Sequence, residues 1–353
     1  MSPSEEAGAR AFVERLDAAF ARASRGRASR KTLRLGSRRV AIAFGSDDAL
    51  AAASPALSLA DDNGETMADV SLALWDSAST GVAPPECPWP ARALGPLGEV
   101  RGFGGPRYRA AFNVHSQTLS LFDTLERRGH AWMRSARSLP GYEQAAPLRT
   151  LLAWGVQAWG WQLVHAGCVA LGTSGVLLVG KGGSGKSTCA LSCLGTELDY
   201  VADDYCALSL ADGRAEAHAL YASGKLEPAH LAACLPALSR RARAPAGEDK
   251  AILYLEGSER RVLGEPVRLR AVVLPQVSPC GASALVPCNA AVALAALAPS
   301  SLFQIPALGA ATLRFLSDVV RSLPCYTLSL GSDLSLARRE LVAMLTEEEP
   351  ATC

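Results

Sequence analysis

The stretch that most narrows what this chain can become is Gly175 to Ser187, Gly-Val-Leu-Leu-Val-Gly-Lys-Gly-Gly-Ser-Gly-Lys-Ser. Val176 to Val179 read as a short buried strand, a glycine-rich turn follows, and a helix begins at Lys186. Gly180, Gly185, Lys186 and Ser187 fill the fixed positions of G-x-x-x-x-G-K-[ST], with Lys181, Gly182, Gly183 and Ser184 between them. Glycines let successive backbone N–H groups turn toward one point with no side chain in the way, which makes such a turn a cradle for phosphate oxygens. The helix N-terminus adds partial positive charge, Lys186 an ammonium for the β and γ phosphates, and the Ser187 hydroxyl a ligand for Mg²⁺. Gly180 to Thr188 is therefore the expected binding site for a nucleoside triphosphate.

A chain of 353 residues has room for two domains, and 49% hydrophobic with 20% charged residues is an ordinary globular balance. A formal net charge of +1 argues against a nucleic-acid binder. The opening Met-Ser-Pro-Ser-Glu-Glu-Ala has neither the basic nor the apolar region of a signal peptide, and Gly155, Gly160, His165 and Gly167 break up the apolar region from Leu151 to Ala170. No membrane partner is expected, and the expected compartment is the cytoplasm. The ten cysteines include no C-x-x-C pair. Cys189 and Cys193 sit four apart on the helix after the loop, while Cys168, Cys206, Cys234, Cys280, Cys288 and Cys325 lie among Ala, Val and Leu, where a free thiol acts as a small hydrophobe. Neither disulfides nor a zinc site is expected.

Residues 1–145 read as a smaller α+β region. Ser2, Pro3 and Glu5 look like an N-cap, a first-turn proline and a capping-box acid, and Phe12, Val13, Leu16 and Phe20 give an apolar stripe to a helix from 3 to about 24. A basic tract follows: Arg22, Arg25, Arg27, Arg30, Lys31, Arg34, Arg38 and Arg39. It is read as a solvated helix end and hairpin, with attraction of an acidic peptide or phosphorylated ligand as the alternative. The alternating runs Leu33/Leu35, Val40/Ile42/Phe44, Val70/Leu72/Leu74, Phe112/Val114 and Leu119/Leu121 predict an antiparallel sheet, and Val82 to Leu97, with five prolines, predicts a loop.

Residues 146–353 carry the phosphate loop. Pro147 opens a helix to about Trp161, whose Trp154, Trp159 and Trp161 are read as packing residues rather than a stack for adenine. Leu163 to Leu171 reads as one strand that turns at Gly172 to Gly175 into the loop strand, a hairpin that brings His165 near the loop. A strand at Val267–Leu274, helices at Ala290–Leu297 and Ala311–Leu323, a strand at Cys325–Leu330 and a helix at Leu334–Leu345 complete an α/β layer.

A second chemical feature lies in Leu198 to Leu208, a strand ending in Asp203 and Asp204. Parallel to and beside the loop strand, the pair would face the γ phosphate and its metal at the carboxyl edge. One carboxylate can hold Mg²⁺ while the other accepts a proton from an incoming hydroxyl, and side chains that alternate along a strand cannot share one task.

In order, Val164-His-Ala-Gly167, Gly180 to Ser187 and Val201-Ala-Asp-Asp204 resemble the catalytic core of the HPr kinase/phosphorylase family. The likeness is nearest to the HPr-kinase-related proteins of natural-product peptide pathways, including kinases of lasso-peptide precursors. The intervals, fifteen residues from His165 to Gly180 and eighteen from Lys186 to Asp204, agree with that family. The resemblance covers about 150–335 and is sharpest at 163–206. It implies an α/β P-loop kinase core of the HPr kinase/PEP carboxykinase-like type, ATP on Gly180 to Ser187, Mg²⁺ on Ser187, and His165 and Lys186 in the active site. It gives Asp204 the proton of a substrate serine, and Asp203 the support of the metal or the orientation of Lys186.

Two departures matter. Thr188 stands where the family carries a glutamate, and Glu227, at about the right distance to be a second metal-binding acid, sits in an unmatched Ser-Gly-Lys-Leu-Glu-Pro context. Both count against phosphorylase activity and against HPr as acceptor. Lys225 and Lys250 each follow a flexible turn and read as surface lysines, with a phosphate or substrate contact in the manner of an arginine finger as the alternative. The expected activity is ATP- and Mg²⁺-dependent phosphorylation of a hydroxyl, foremost a serine of a peptide or small protein such as a ribosomal natural-product precursor. The alternatives are a regulatory nucleotide switch and a kinase of a free small molecule. The resemblance leaves room for a homo-oligomer.

Overall fold

The computed structural model describes residues 3–26, 28–61, 67–245, 247–260, 263–278 and 283–347, so the N-cap assigned to Ser2, the tract residue Arg27 and the core cysteine Cys280 lie outside the described residues. The chain is mixed α/β and forms two compact units, Met1–Gly160 with Phe303–Leu308 and Trp161–Leu302 with Gly309–Cys353. The division falls after Gly160 rather than at residue 145. The helix responsible, Arg149–Gln157, buries Leu151, Leu152 and Trp154 in the first unit, and the Trp154 indole N–H donates to the Pro306 carbonyl at 2.9 Å. Among the described residues no helix is long and apolar enough to cross a membrane.

The first unit is built on an eight-stranded sheet in the order 59–61, 29–35, 38–44, 70–76, 128–133, 118–123, 108–113, 99–104. It is mixed rather than antiparallel: Val70–Asp76 runs parallel to both Arg38–Phe44 and Arg128–Met133. The strand Arg128–Met133 has no mark in the sequence, because Arg-Gly-His-Ala-Trp-Met shows no apolar alternation. Its His130 is nonetheless 4% exposed, with Nε2 on the Asp17 carboxylate at 2.9 Å. Helix Pro3–Ser24 lays Phe12, Leu16 and Ala19 over Trp75, Tyr108 and Leu121, as its stripe predicts. Within the basic tract Arg38 pairs with Asp69 at 2.9 Å, while Arg22, Arg25, Arg30 and Arg34 are exposed.

The second unit holds a nine-stranded sheet whose main path runs 199–202, 167–171, 174–178, 266–277, 214–219, 206–211, 162–164. Strand Pro266–Val277 also pairs in parallel with Cys325–Leu330 through its second half. Both faces are covered, so central strands such as Gly167–Leu171 and Ser174–Leu178 are nearly continuous apolar runs. Leu177 and Val179 face helices Ala290–Leu302 and Ala310–Arg321, whereas Val176 and Leu178 face the short helix Lys186–Leu191 and the helix Leu334–Thr346.

Two sequence expectations are corrected here. Leu163 to Leu171 is not one strand: Gln162–Val164 pairs with Cys206–Ala211, Gly167–Leu171 pairs with Ser174–Leu178, and the chain breaks at His165 and Ala166. Nor does Asp199–Ala202 lie beside the loop strand, because Gly167–Leu171 sits between them, antiparallel to both. A tight hairpin claims that edge of the loop strand, and the break at His165 turns its side chain toward the acidic pair.

Candidate active site

The loop after Ser174–Leu178 needs its glycines for two distinct reasons. Gly183 and Gly185 have φ of +79° and +101°, where side-chain-bearing residues are strained. A Cβ on Gly185 would also lie 2.5 Å from Leu330 Cδ1, and one on Gly180 would lie 2.5 Å from Ser184 Oγ. At Gly182 a Cβ would meet nothing within 4 Å, so that position faces open space. Lys186 is buried and folds back into the loop, its ammonium donating to the carbonyls of Gly180 at 2.7 Å and Lys181 at 3.2 Å. Lys181 is exposed and Ser187 half-buried.

Thr188 is buried, and its hydroxyl pairs with His230 Nε2 at 3.0 Å, tying the loop helix to helix Pro228–Cys234. The loop helix is shorter than expected, because the Ser192 and Thr196 hydroxyls take the carbonyls of Cys189 and Cys193 and close it off.

The adjacent aspartates have different surroundings. Asp203 is 3% exposed. Its Oδ1 accepts from the Tyr200 hydroxyl at 3.1 Å, and its Oδ2 accepts the Lys225 backbone N–H at 2.9 Å. The Tyr200 hydroxyl also donates to the Ser223 carbonyl at 2.7 Å, so its single proton is divided between two acceptors. Asp204 keeps about a fifth of its side chain exposed; Oδ1 meets His165 Nε2 at 2.6 Å and Oδ2 meets the Lys225 ammonium at 2.8 Å. Burial, reinforced by the neighbouring Asp204 charge, pushes the Asp203 carboxyl up to about 6. Burial alone would raise Asp204 too, but the Lys225 ammonium and the His165 contact hold it well below the usual carboxylate range. A proton entering the pair therefore settles on Asp203, and Asp204 stays ionised.

Each partner is positioned by the fold. His165, at the break between two strands, donates its backbone N–H to Ser301 Oγ at 3.1 Å, and its buried Nδ1 makes no hydrogen bond. The tautomer that fits carries the proton on Nε2, donated to Asp204, because an Nδ1 proton would be buried without an acceptor. Lys225 comes from Ser223–Leu226, which pairs with Ala251–Tyr254 in a separate two-stranded ribbon. That ribbon packs on the loop helix so closely that a Cβ on Gly224 would fall 2.6 Å from Leu191 Cδ2.

Burial lowers the Lys186 pKa, Asp204 and Asp203 oppose the shift, and Lys250 adds to it, so these charges act on one another. Lys250 itself is exposed. Glu227 stands exposed at the start of helix Pro228–Cys234, its backbone carbonyl accepting from Leu231. The structure thus gathers Lys186, Asp203, Asp204, His165 and Lys225, and turns Thr188 toward His230.

Three further residues complete the site without having been singled out. Tyr200 had a signal, a phenol in an otherwise apolar strand that needs a buried partner. Ser301, 136 positions from His165, and His230, 42 positions from Thr188, had none, because only the tertiary fold brings them in. No protein-family model matches this chain, and no curated protein matches it.

Proposed function

We propose that the second unit is a P-loop kinase core of the HPr kinase-like type, transferring the γ-phosphoryl group of ATP to a hydroxyl, foremost a serine of a peptide or small protein. The observation that carries this is an ionised carboxylate held between a lysine and a histidine, in the same unit as the glycine-rich loop and near enough for its charge to act on the loop lysine. A nucleotide switch needs water and metal positioned, but it has no use for a carboxylate clamped from two sides at a partly open position.

The loop amides and Lys186 would hold the triphosphate. Asp204 would orient the acceptor hydroxyl and take its proton as the bond to phosphorus forms. Its lowered affinity for protons suits a late transfer, because a loose phosphoryl transition state needs little help in deprotonating the nucleophile. Lys225 and Lys186 would balance the charge that develops on the transferred group. Asp203, committed to Tyr200 and to the Lys225 backbone, positions Lys225 rather than touching substrate.

Mg²⁺ fits as an ion that comes with the nucleotide. The Ser187 hydroxyl offers a hard oxygen, and no group of three or more His, Cys, Asp and Glu side chains among the described residues could hold a metal alone. When bound, the ion would neutralise charge across the β and γ phosphates. Asp203 is the second ligand the sequence suggests; each of its oxygens already accepts one hydrogen bond, from Tyr200 and from the Lys225 backbone, so an ion there would have to share the carboxylate with those donors.

The test is incubation of the protein with γ-labelled ATP, Mg²⁺ and seryl peptides. Label in a peptide supports the kinase, whereas label appearing only as inorganic phosphate favours the switch.

A further inference from the structure

The first unit contains a pocket of about 430 Å³, formed wholly by its own residues. It opens on the sheet face opposite helix Pro3–Ser24: Trp75, Leu119 and Leu121 pack with that helix, while the alternate residues Leu74, Thr118 and Ser120 line the pocket. The space exists because the floor is made of small residues, Ala111, Ser120 and Ala131, and the wall of helix Asp47–Ala53 offers only Ala49, Ala52 and Ala53. Protein interiors ordinarily pack to crystal-like density, so a void kept open by a run of small residues reads as a built feature.

Two further observations say what enters it. Apolar surface continues outward past the mouth: the pocket residues Leu97 and Val114 are 36% and 62% exposed, and Phe303, next to the pocket residue Gln304, is 71% exposed. A metabolite held inside would not use that collar, which suits a ligand larger than the pocket. Beside the collar lie amides and both signs of charge, Asn113, Gln304, Glu143 and Arg149, with the Asn113 amide donating to the Tyr142 hydroxyl at 3.3 Å. That mixture, in which Asn113 also donates to Glu143 at 3.4 Å, has no single sign of charge to favour phosphate and is too polar for an acyl chain, which suits a polypeptide.

We infer that this pocket is a polypeptide-binding site that seats one bulky apolar side chain, Leu, Phe or Trp, with the flanking backbone on the collar. The inference rests on the first unit alone and stands apart from phosphoryl transfer.

A displayed random-peptide library panned on the full chain, followed by anisotropy titration of the selected peptides, tests it. The selected peptides should share a bulky apolar residue, and replacing it by Ala should weaken binding about tenfold or more. Ala52→Trp, which fills the pocket from a half-buried helix position, should weaken binding to the same degree. So should Val114→Glu, whose exposed position leaves the fold intact. Lys186→Ala should change nothing, which separates this outcome from failure of the kinase assignment. Selected peptides without a common apolar residue, or affinity unchanged in both pocket variants, would overturn the inference. Equal binding of N-acetyltryptophanamide alone would replace a polypeptide ligand by a small one.

Discussion

The two units of this chain present opposite kinds of site. In the second unit charge is concentrated: Asp203, Asp204, His165 and Lys225 are joined at hydrogen-bond distance, and the carboxylate charges act on Lys186, whose ammonium is held by the loop carbonyls. In the first unit side-chain volume is withheld, and alanines and a serine leave a pocket with an apolar collar. The difference teaches where function is visible. A charged site depends on particular residue types at particular intervals, whereas a shape-based site depends on what neighbouring positions fail to fill.

If the contrast holds, variants of the charged site alter chemistry and leave peptide affinity of the first unit untouched. Lys186→Ala should show the largest effect, a loss of phosphoryl transfer of about 10³-fold, read as label transferred from ATP. Lys225→Ala should cost about 10²-fold and carry a second signature. Without its ammonium Asp204 loses the main group holding its proton affinity down, so the acid limb of the pH–rate profile moves to higher pH. An acid limb that stays put would mean that Lys225 acts on substrate only.

Gly185→Ala forces a side chain into φ +101° against the buried Leu330 and should destabilise the chain by about 1–3 kcal/mol in denaturant titration. The smallest effect belongs to Asp203→Asn. With its carboxyl raised from 3.8 to about 6 in the folded chain, folding takes up a proton between those values, so its contribution to stability falls as pH rises through that window. The Asn variant should flatten that decline, whose limit for one proton is about 1.4 kcal/mol per pH unit. An unchanged slope would place the shared proton on another group.

Much of the second unit was legible because its chemistry has a spelling. Gly180 to Ser187 and Asp203-Asp204 announce themselves, and the helices and strands after Val267 follow plain periodicities. What escaped was long-range. The break at His165 is invisible in an apolar run, since Gln162 to Leu171 satisfies a strand pattern equally well as one strand or two. Lys225 looked like a surface lysine because its role comes from a two-stranded ribbon closed by Ala251–Tyr254, a pairing with no local mark. In the first unit Phe12, Leu16 and Phe20 predict their helix, yet Arg128–Met133 carries no strand signal, because its buried His130, paired through Nε2 with Asp17, imitates a loop residue. The pocket had no signal at all, as Ala49, Ala111 and Ala131 read as ordinary helix and strand residues until the sheet brings them together.

The central claim, that Asp204 takes the acceptor's proton in an ATP-dependent kinase, is tested most directly by Asp204→Asn. Intact mass would be measured on seryl peptides incubated with ATP, Mg²⁺ and either protein, alongside calorimetric titration of nucleotide. The variant should bind nucleotide nearly as the wild type does, while the gain of about 80 Da on peptide seen with wild type disappears. Phosphorylated peptide appearing at near wild-type rates with Asp204→Asn would contradict the assignment.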